Sequence, residues 1–142
     1  MMGVSLTANN SGYDFDMGYG GFFSLRKNIA LAFDEEFGEH YENLIYCHSV
    51  KDFEKHDEIA EWILKKNKLT DEDQDIVDFL YAPDRGGKMN YRTCGEIYDL
   101  IKDVDFDGKT FVYGALSDGK DYEYLKEFLK ECYSHRRNAY WY

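Results

Sequence analysis

The spacing of apolar residues predicts a short strand near the start of the chain and six amphipathic helices after it. Val4 and Leu6 alternate with polar residues, a pattern that is typical of a half-buried strand. Farther along, apolar residues recur at i, i+3, i+4 and i+7, which places them on one face of a helix. Segments with this spacing predict helices over residues 22–37, 39–48, 52–67, 70–81, 94–101 and 121–135.

Residues with strong preferences for helix ends support these boundaries. Thr70 precedes three consecutive acidic residues, so its hydroxyl is expected to cap a helix whose first turn carries favourable negative charge. Ser49 is expected to cap the helix over residues 52–67 in the same way. Pro83 disfavours the helical conformation at Ala82, which indicates that the helix ends there. Gly38 is expected to end the first helix.

The remaining segments predict loops, turns and one further strand. Residues 9–22 contain four glycines and two asparagines and are expected to form a long loop. Residues 83–90 are expected to form a turn, and residues 109–116 a strand that pairs with residues 4–7. With a length of 142 residues, the chain is therefore predicted to be a single α+β domain over residues 1–142, mostly helical, with a small antiparallel sheet.

The composition argues against binding to nucleic acids or membranes. The net charge is −11, which repels polyanions and anionic lipid surfaces at long range. A negative charge of this size either keeps a protein soluble or steers it towards a basic partner. Aromatic residues make up 18% of the chain, with 13 tyrosines and 10 phenylalanines. Tyrosine suits both the margin of a core and a contact surface.

The cysteines and the hydropathy of the chain predict a reducing cytoplasm as its location. Three cysteines lie far apart, which suggests neither a disulfide framework nor a CxxC metal site. No apolar run approaches the roughly 20 residues of a membrane span. The N-terminus lacks the basic and hydrophobic regions of a secretory signal.

The segment that begins at Asp103 shares its first half with a calcium-binding loop. Asp103, Asp105 and Asp107 alternate with other residues and precede Gly108, as in an EF-hand. The twelfth position is Gly114 where an EF-hand needs a bidentate glutamate, and Asp-Gly is also a common turn dipeptide. We therefore expect a turn, with a weak calcium-binding module as an alternative.

Other catalytic and metal-binding patterns are missing from the sequence. The four histidines form no HExxH motif and no zinc-ligand spacing. No GxSxG motif is present, and Cys47 and His48 are only neighbours in sequence. We expect no enzymatic activity, no metal and no cofactor.

Two kinds of segment remain as candidate ligand-binding sites. The glycine-rich stretch at residues 16–22 leads into a helix and offers backbone N–H groups to an anion, with Arg26 one turn inside. The alternative is a backbone fold that packs Tyr19 and Phe22. Two basic and aromatic patches also interrupt the acidity, and Arg beside stackable rings suits nucleotides and protein interfaces alike. The patches are residues 84–92, with Arg85, Lys88, Tyr91 and Arg92, and residues 134–142, with Arg136, Arg137, Tyr140, Trp141 and Tyr142.

Two stretches resemble a family of small uncharacterised proteins from phages, prophages and mobile elements of Gram-positive bacteria. They are DMGYGGFFSLRKNIA at residues 16–30 and GKMNYRTCGEIYDLIKDVD at residues 87–105. The resemblance covers most of the chain and brings no biochemical activity with it. It implies an accessory protein that acts on host proteins, including defence systems, in the cytoplasm of the infected or carrier bacterium. The turn at residues 107–110 departs from the family, where a shorter turn is expected.

We therefore predict a non-catalytic accessory protein that binds and antagonises a host component through an acidic, tyrosine-rich surface. The first alternative is a sponge that sequesters a nucleotide-like immune signal, with phosphates on basic side chains and a base stacked on tyrosine or tryptophan. The candidate ligand-binding residues are Tyr19, Arg26, Arg85, Lys88, Tyr91, Arg92, Arg136 and Trp141.

The expected partner is a host protein with a basic surface or a small nucleotide-like ligand. Direct nucleic-acid binding and membrane binding are not expected, and the number of subunits is left open. The two partner classes predict different surfaces. A cleft in which Arg and Tyr side chains converge favours the ligand, whereas a continuous carboxylate face without a pocket favours the protein.

Overall fold

The described residues form five helices and a four-stranded antiparallel sheet, which confirms the α+β, mostly helical fold class. The computed structural model describes residues 4–8, 12, 14–42, 54–55, 58, 61, 65, 70–82, 86–106, 109, 111 and 120–142. The strands are β1 (Val4–Ala8), β2 (Asp14–Met17), β3 (Gly87–Met89) and β4 (Ala139–Trp141). The helices are α1 (Tyr19–Phe33), α2 (Glu35–Glu42), α3 (Asp71–Leu80), α4 (Tyr91–Ile101) and α5 (Lys120–His135).

The sheet has the order β2-β1-β4-β3 and buries one face against the helices. Alternate residues point to opposite faces of a strand, so Val4 and Leu6 are buried while Ser5 and Thr7 are not. On the buried face Trp141 lies opposite Gly87. A side chain at Gly87 would overlap the indole ring, so glycine is needed there for Trp141 to enter the core.

Three helix boundaries follow from capping groups that the sequence contains. Thr70 caps α3 in a capping box, because its hydroxyl accepts from the amide of Asp73 at 3.1 Å while the Asp73 carboxylate accepts from the Thr70 amide. The Asn90 side chain caps α4 by accepting from the amide of Arg92 at 2.8 Å. Helix α5 ends where the backbone amides of Arg136 and Arg137 donate back to carbonyls of its last turns, with Arg136 in the left-handed region.

Four of the predicted helices agree closely with the structure or with its described part. The helices at 70–81, 94–101 and 121–135 correspond to α3, α4 and α5. Of the helix at 52–67, residues 54, 55, 58, 61 and 65 are described, and each is helical. The helix predicted over 22–37 is instead divided at Asp34, whose carboxylate accepts from the amide of Phe37 at 2.9 Å and starts α2. The part of the helix at 39–48 beyond Glu42 lies outside the described residues.

The predictions for the sheet were less accurate. The loop predicted over 9–22 is wrong for β2 and for the first turns of α1, and the turn over 83–90 is wrong for β3. The pairing of residues 109–116 with β1 is also wrong, because β2 and β4 occupy both edges of that strand. Apart from Lys109 and Phe111, that segment lies outside the described residues. Among the helices that the structure describes, none is long and apolar enough to span a bilayer.

Candidate functional site

A cleft of about 790 Å³, open to solvent, lies between helices α4 and α5. Its volume falls within the range of about 300–1,000 Å³ that is typical of small-molecule sites. Its described lining residues are Glu72 from α3, Tyr91, Arg92, Gly95, Glu96, Tyr98 and Asp99 from α4, Lys130, Tyr133 and Ser134 from α5, and Arg136.

The two basic and aromatic patches of the sequence meet in this cleft because β3 and β4 are paired. The strands are antiparallel with Met89 opposite Ala139, so the chain leaves β3 for α4 at the end where it enters β4 from α5. The amide of Tyr91 donates to the Asn138 side chain at 3.0 Å and fixes this junction. Tyr91, Arg92 and Arg136, which sequence reasoning assigned to separate patches, therefore line one cavity.

Three cationic side chains face the cleft without carboxylate partners. Within the part of the chain that the structure describes, Arg92, Lys130 and Arg136 form no ion pair. The Arg92 guanidinium lies 5.6 Å from the centroid of the Tyr91 ring, and its hydrogen bond to the Tyr91 side chain is the main cause of a raised pKa for Arg92. These cations are therefore available to an anionic group of a ligand.

Carboxylates of the same cleft balance these cations in number. One is Asp99, which lies 3.6 Å from the ammonium of Lys102, a residue that does not line the cavity. Another is Glu72, in the first turn of α3. The third carboxylate is Glu96. With charges of both signs on its walls, the cleft suits a ligand that offers hydrogen-bond donors as well as an anion.

Glu96 is the least satisfied of these carboxylates. Its Oε2 atom is buried and has no hydrogen-bond partner among the described residues. Desolvation is the main cause that raises the pKa of Glu96 to about 7, and repulsion from Asp75, Glu72 and Asp73 adds to it. A carboxyl group in a cleft whose pKa is raised by desolvation and by neighbouring carboxylates is a functional-site signal, because such shifts cluster at catalytic and binding sites.

Gly95 lets an aromatic ring form part of the wall of the cleft. A Cβ atom at Gly95 would overlap the ring of Tyr133, so only glycine permits that ring to pack on the backbone of α4. Glycine inside a helix costs about 1 kcal/mol relative to alanine. Tyr133 stays 55% exposed, so burial of the ring recovers only part of that cost. The ring remains available for stacking.

Arg136 occupies a backbone conformation that favours glycine. Its φ is 55°, and it is the one non-glycine residue with positive φ among those described. The amide of Arg137 donates to the carbonyl of Cys132 and that of Arg136 to the carbonyl of Tyr133, at 2.9 and 3.3 Å. This is the Schellman pattern of a helix end, in which glycine is the usual residue at the left-handed position. An arginine there costs about 1 kcal/mol and directs a cation to the cleft.

The thiols of Cys94 and Cys132 lie behind the cleft wall rather than in it. Both side chains are fully buried between α4 and α5. Its hydrogen bond with Cys132, together with burial, raises the pKa of Cys94. A buried thiol of this kind packs as a small apolar group and is a poor nucleophile.

The other predicted ligand-binding residues lie elsewhere. Arg26 is only 4% exposed and donates to the carbonyls of Ala82 and Leu80 at 2.8 and 3.4 Å, so it caps the end of α3 from within the core. Trp141 is 1% exposed, so neither side chain is accessible to a ligand. Lys88 is exposed beside a separate small crevice of about 150 Å³. The Tyr19 side chain and Arg85 lie outside what the structure describes.

The calcium-like segment adopts turn hydrogen bonding in its described part. The amide of Lys109 donates to the carbonyl of Phe106 at 2.9 Å, and the Lys126 ammonium donates to the carbonyl of Val104 at 2.7 Å. A cation of the protein therefore already occupies one carbonyl of the segment. The described residues hold no group of three or more His, Cys, Asp or Glu side chains placed for a metal. Asp107 lies outside the described residues, so the calcium alternative stays a prediction.

Sequence reasoning missed several residues of the cleft, although two features of the sequence of α4 point to them. Arg92, Glu96 and Asp99 follow one another at helical spacing and so share a face of α4. Gly95 lies inside a helix, where an isolated glycine indicates close packing or function. Lys130 and Tyr133 carry no such signal, because only the packing of α5 on α4 brings them to the cleft.

Comparison of the chain with protein-family models, with curated proteins and with solved structures found no match. The function is therefore argued from the geometry of the cleft.

Proposed function

We propose that the protein binds a nucleotide-like ligand in the α4–α5 cleft without converting it chemically. The observation that carries this proposal is the convergence of three cations, Arg92, Lys130 and Arg136, with three tyrosines in one cavity, where no described carboxylate forms an ion pair with these cations. Of the surfaces predicted for the two partner classes, this cleft matches the one that favours a small ligand.

Each part of a nucleotide has a matching group in the cleft. Guanidinium groups bind phosphate through paired hydrogen bonds. Arg92, which follows β3, and Arg136, which precedes β4, both lie at one end of the β3–β4 pair and line the cleft there. Tyrosine rings stack on bases of any kind, and Tyr91 and Tyr133 are two of the cleft rings. Charge on the cavity walls acts at short range, where it is screened less than the field of the net charge of −11.

The composition of the cleft supports binding rather than catalysis. The described lining contains no histidine and no cysteine. Glu96 has no hydrogen-bonded nucleophile among the described residues, so it is not arranged as the base of a nucleophile–base pair. Under the resemblance to phage accessory proteins, such a binder would act as a sponge for a nucleotide-like immune signal of the host.

Calorimetric titration with mononucleotides and cyclic nucleotides tests this proposal. We expect saturable heat with the native chain and at least tenfold weaker binding after Arg92→Ala, since an exposed arginine is lost without disturbing the core. Lys88→Ala is the matched control, because it removes one exposed cation outside the cleft and should leave the affinity within twofold. Absence of heat with every ligand, or equal losses in the two variants, would show that the cleft is not the site.

A second candidate function is docking to a basic host protein through the outer face of α5. Tyr124 is 51% exposed and lies between Glu123 and Glu127, which are also exposed. An exposed ring flanked by carboxylates is typical of a contact surface for a basic partner. This observation supports the acidic, tyrosine-rich surface that the sequence predicts.

Tyr124 separates the two candidates, because it does not line the cleft. Capture from host lysate at low salt should recover a basic protein with the native chain and lose it after Tyr124→Ala with Glu123→Gln. Nucleotide binding should be unchanged in the same variant. Retention of the captured protein in the variant would exclude docking through this face.

A further inference from the structure

Resting on the proposed function, we infer that Glu96 selects the base of the ligand by accepting hydrogen bonds from an edge that presents two adjacent N–H donors, as guanine does. The motivating observation is the buried Oε2 atom of Glu96, which lacks a hydrogen-bond partner among the described residues although its carboxylate lines an open cleft.

The position of Glu96 suits a base rather than a phosphate. It follows Arg92 by one turn of α4, a rise of about 6 Å, so one nucleotide can reach both side chains. Gly95, its neighbour in sequence, carries the ring of Tyr133 against the helix. A stacking ring and an acceptor of hydrogen bonds therefore line the same cleft, and together they can bind a base by its face and its edge.

The unpaired carboxylate discriminates among bases by its need for donors. Guanine presents a ring N–H next to an exocyclic amino group, and both can point at the two oxygens of one carboxylate. Adenine and cytosine place a ring acceptor beside their amino group, and that acceptor repels the carboxylate. In uracil, two carbonyl oxygens flank a single N–H. Sites that need a donor reject ligands that lack it by large factors, because the buried acceptor is then left unpaired.

The charges around Glu96 add a dependence on pH. Glu72, Asp73 and Asp75 of α3 repel its carboxylate, and desolvation raises its pKa to about 7. Asp99 and Arg92 of its own helix, Lys130 of α5 and Arg136, which follows α5, line the same cleft. Two N–H donors stabilise the ionised form, so the affinity for guanine should increase as the pH rises from 6 to 8.

The experiment compares the 3′,5′-cyclic monophosphates of guanosine, inosine and adenosine, whose phosphodiester keeps a single charge between pH 6 and 8. Inosine has the ring N–H of guanine without the amino group. By calorimetry with the native chain we expect the guanosine compound to bind about tenfold more tightly than the inosine compound, and the adenosine compound to bind more weakly still. Glu96→Gln should reduce the whole range to less than about threefold, because a glutamine offers one acceptor and one conflicting donor.

Asp78→Asn is the matched control, since it removes one negative charge from an exposed carboxylate that does not line this cleft and that already accepts a hydrogen bond from the Gln74 side chain. This variant should keep the preference for guanosine. Equal binding of all three compounds, or a preference that survives Glu96→Gln, would overturn the inference while leaving the proposed function intact. Failure of all three compounds and of the mononucleotides to bind would instead overturn the proposed function.

Discussion

The substitution Glu96→Gln should stabilise the unliganded protein at alkaline pH. The effect of the Glu96 carboxylate on the free energy of unfolding can therefore be measured without a ligand. The pKa of Glu96 is raised from 4.5 to about 7 in the folded chain. The folded state therefore binds more protons than the unfolded state between these values. The contribution of Glu96 to stability is fully present below pH 4.5 and is lost as the pH rises through 7.

The size of the effect follows from the shift. The difference between 4.5 and about 7 corresponds to at most about 3 kcal/mol at 1.36 kcal/mol per pH unit. Solvent and salt partly screen a carboxylate in an open cleft, so we expect about 1–2 kcal/mol of stabilisation above pH 8. For a chain of this length that corresponds to a rise of about 3–7 °C in the melting temperature.

Thermal melts followed by circular dichroism between pH 5.5 and 8.5 measure this difference and stay above the isoelectric point of about 4.7. Roughly half of the effect should develop within that range, and it should level off above about pH 7, where the carboxyl of the folded state is ionised. Asp99→Asn controls for the general relief of negative charge and should give a smaller change. A gain that is constant with pH, or equal in both variants, would refute the account of Glu96.

Three further substitutions test other features of the structure. Arg136→Gly should raise the stability by about 1 kcal/mol, because glycine relieves the positive φ, while calorimetry shows weaker nucleotide binding; a loss of stability would contradict this. Gly95→Ala should lower the stability by about 1–3 kcal/mol in urea denaturation, although alanine has the better helix propensity, because its Cβ atom would overlap the ring of Tyr133. If that overlap is the cause, Tyr133→Ala in the same chain should recover most of the loss. Arg26→Met should cost about 2–4 kcal/mol in the same assay, since the carbonyl of Ala82 loses its donor and that of Leu80 keeps only the hydroxyl of Tyr41; a cost below 0.5 kcal/mol would refute its role as a helix cap.

Local signals in the sequence were sufficient for the helices but not for most of the sheet. Helix α3 has a capping box at Thr70 and an apolar stripe, both of which act within a few residues. Strands β3 and β4 are three residues long and exist only because each pairs with the other across some 50 positions of sequence. In β2 the alternation of Phe15 and Met17 was hidden among glycines that also favour loops.

The same division holds for the candidate site. The chemistry of Tyr91, Arg92 and Arg136 was evident from residue type, but their convergence depends on the β3–β4 ladder and on the packing of α5 against α4. Arg26 was assigned to a ligand because it follows the glycine-rich stretch by one turn of helix, and Trp141 because its ring can stack on a base. In the fold the Arg26 guanidinium lies 4.0 Å from the ring centroid of Phe22 and satisfies two backbone carbonyls, which makes it a part of the core.

Three features that oppose stability meet at the cleft, and their coincidence is the strongest physical argument for function there. Gly95 weakens a helix interior, Arg136 holds a strained backbone conformation, and Glu96 keeps a buried oxygen without a partner among the described residues. The first two have a local explanation, since glycine admits the Tyr133 ring and arginine complements a helix end. Those explanations do not account for all three lying on the walls of one cavity. Strain and unsatisfied polar groups persist where selection for binding outweighs selection for stability. A ligand that satisfies Glu96 and pairs with Arg136 would recover free energy from two of these features at once, which is why the substitutions that stabilise the empty protein are the ones expected to weaken its binding.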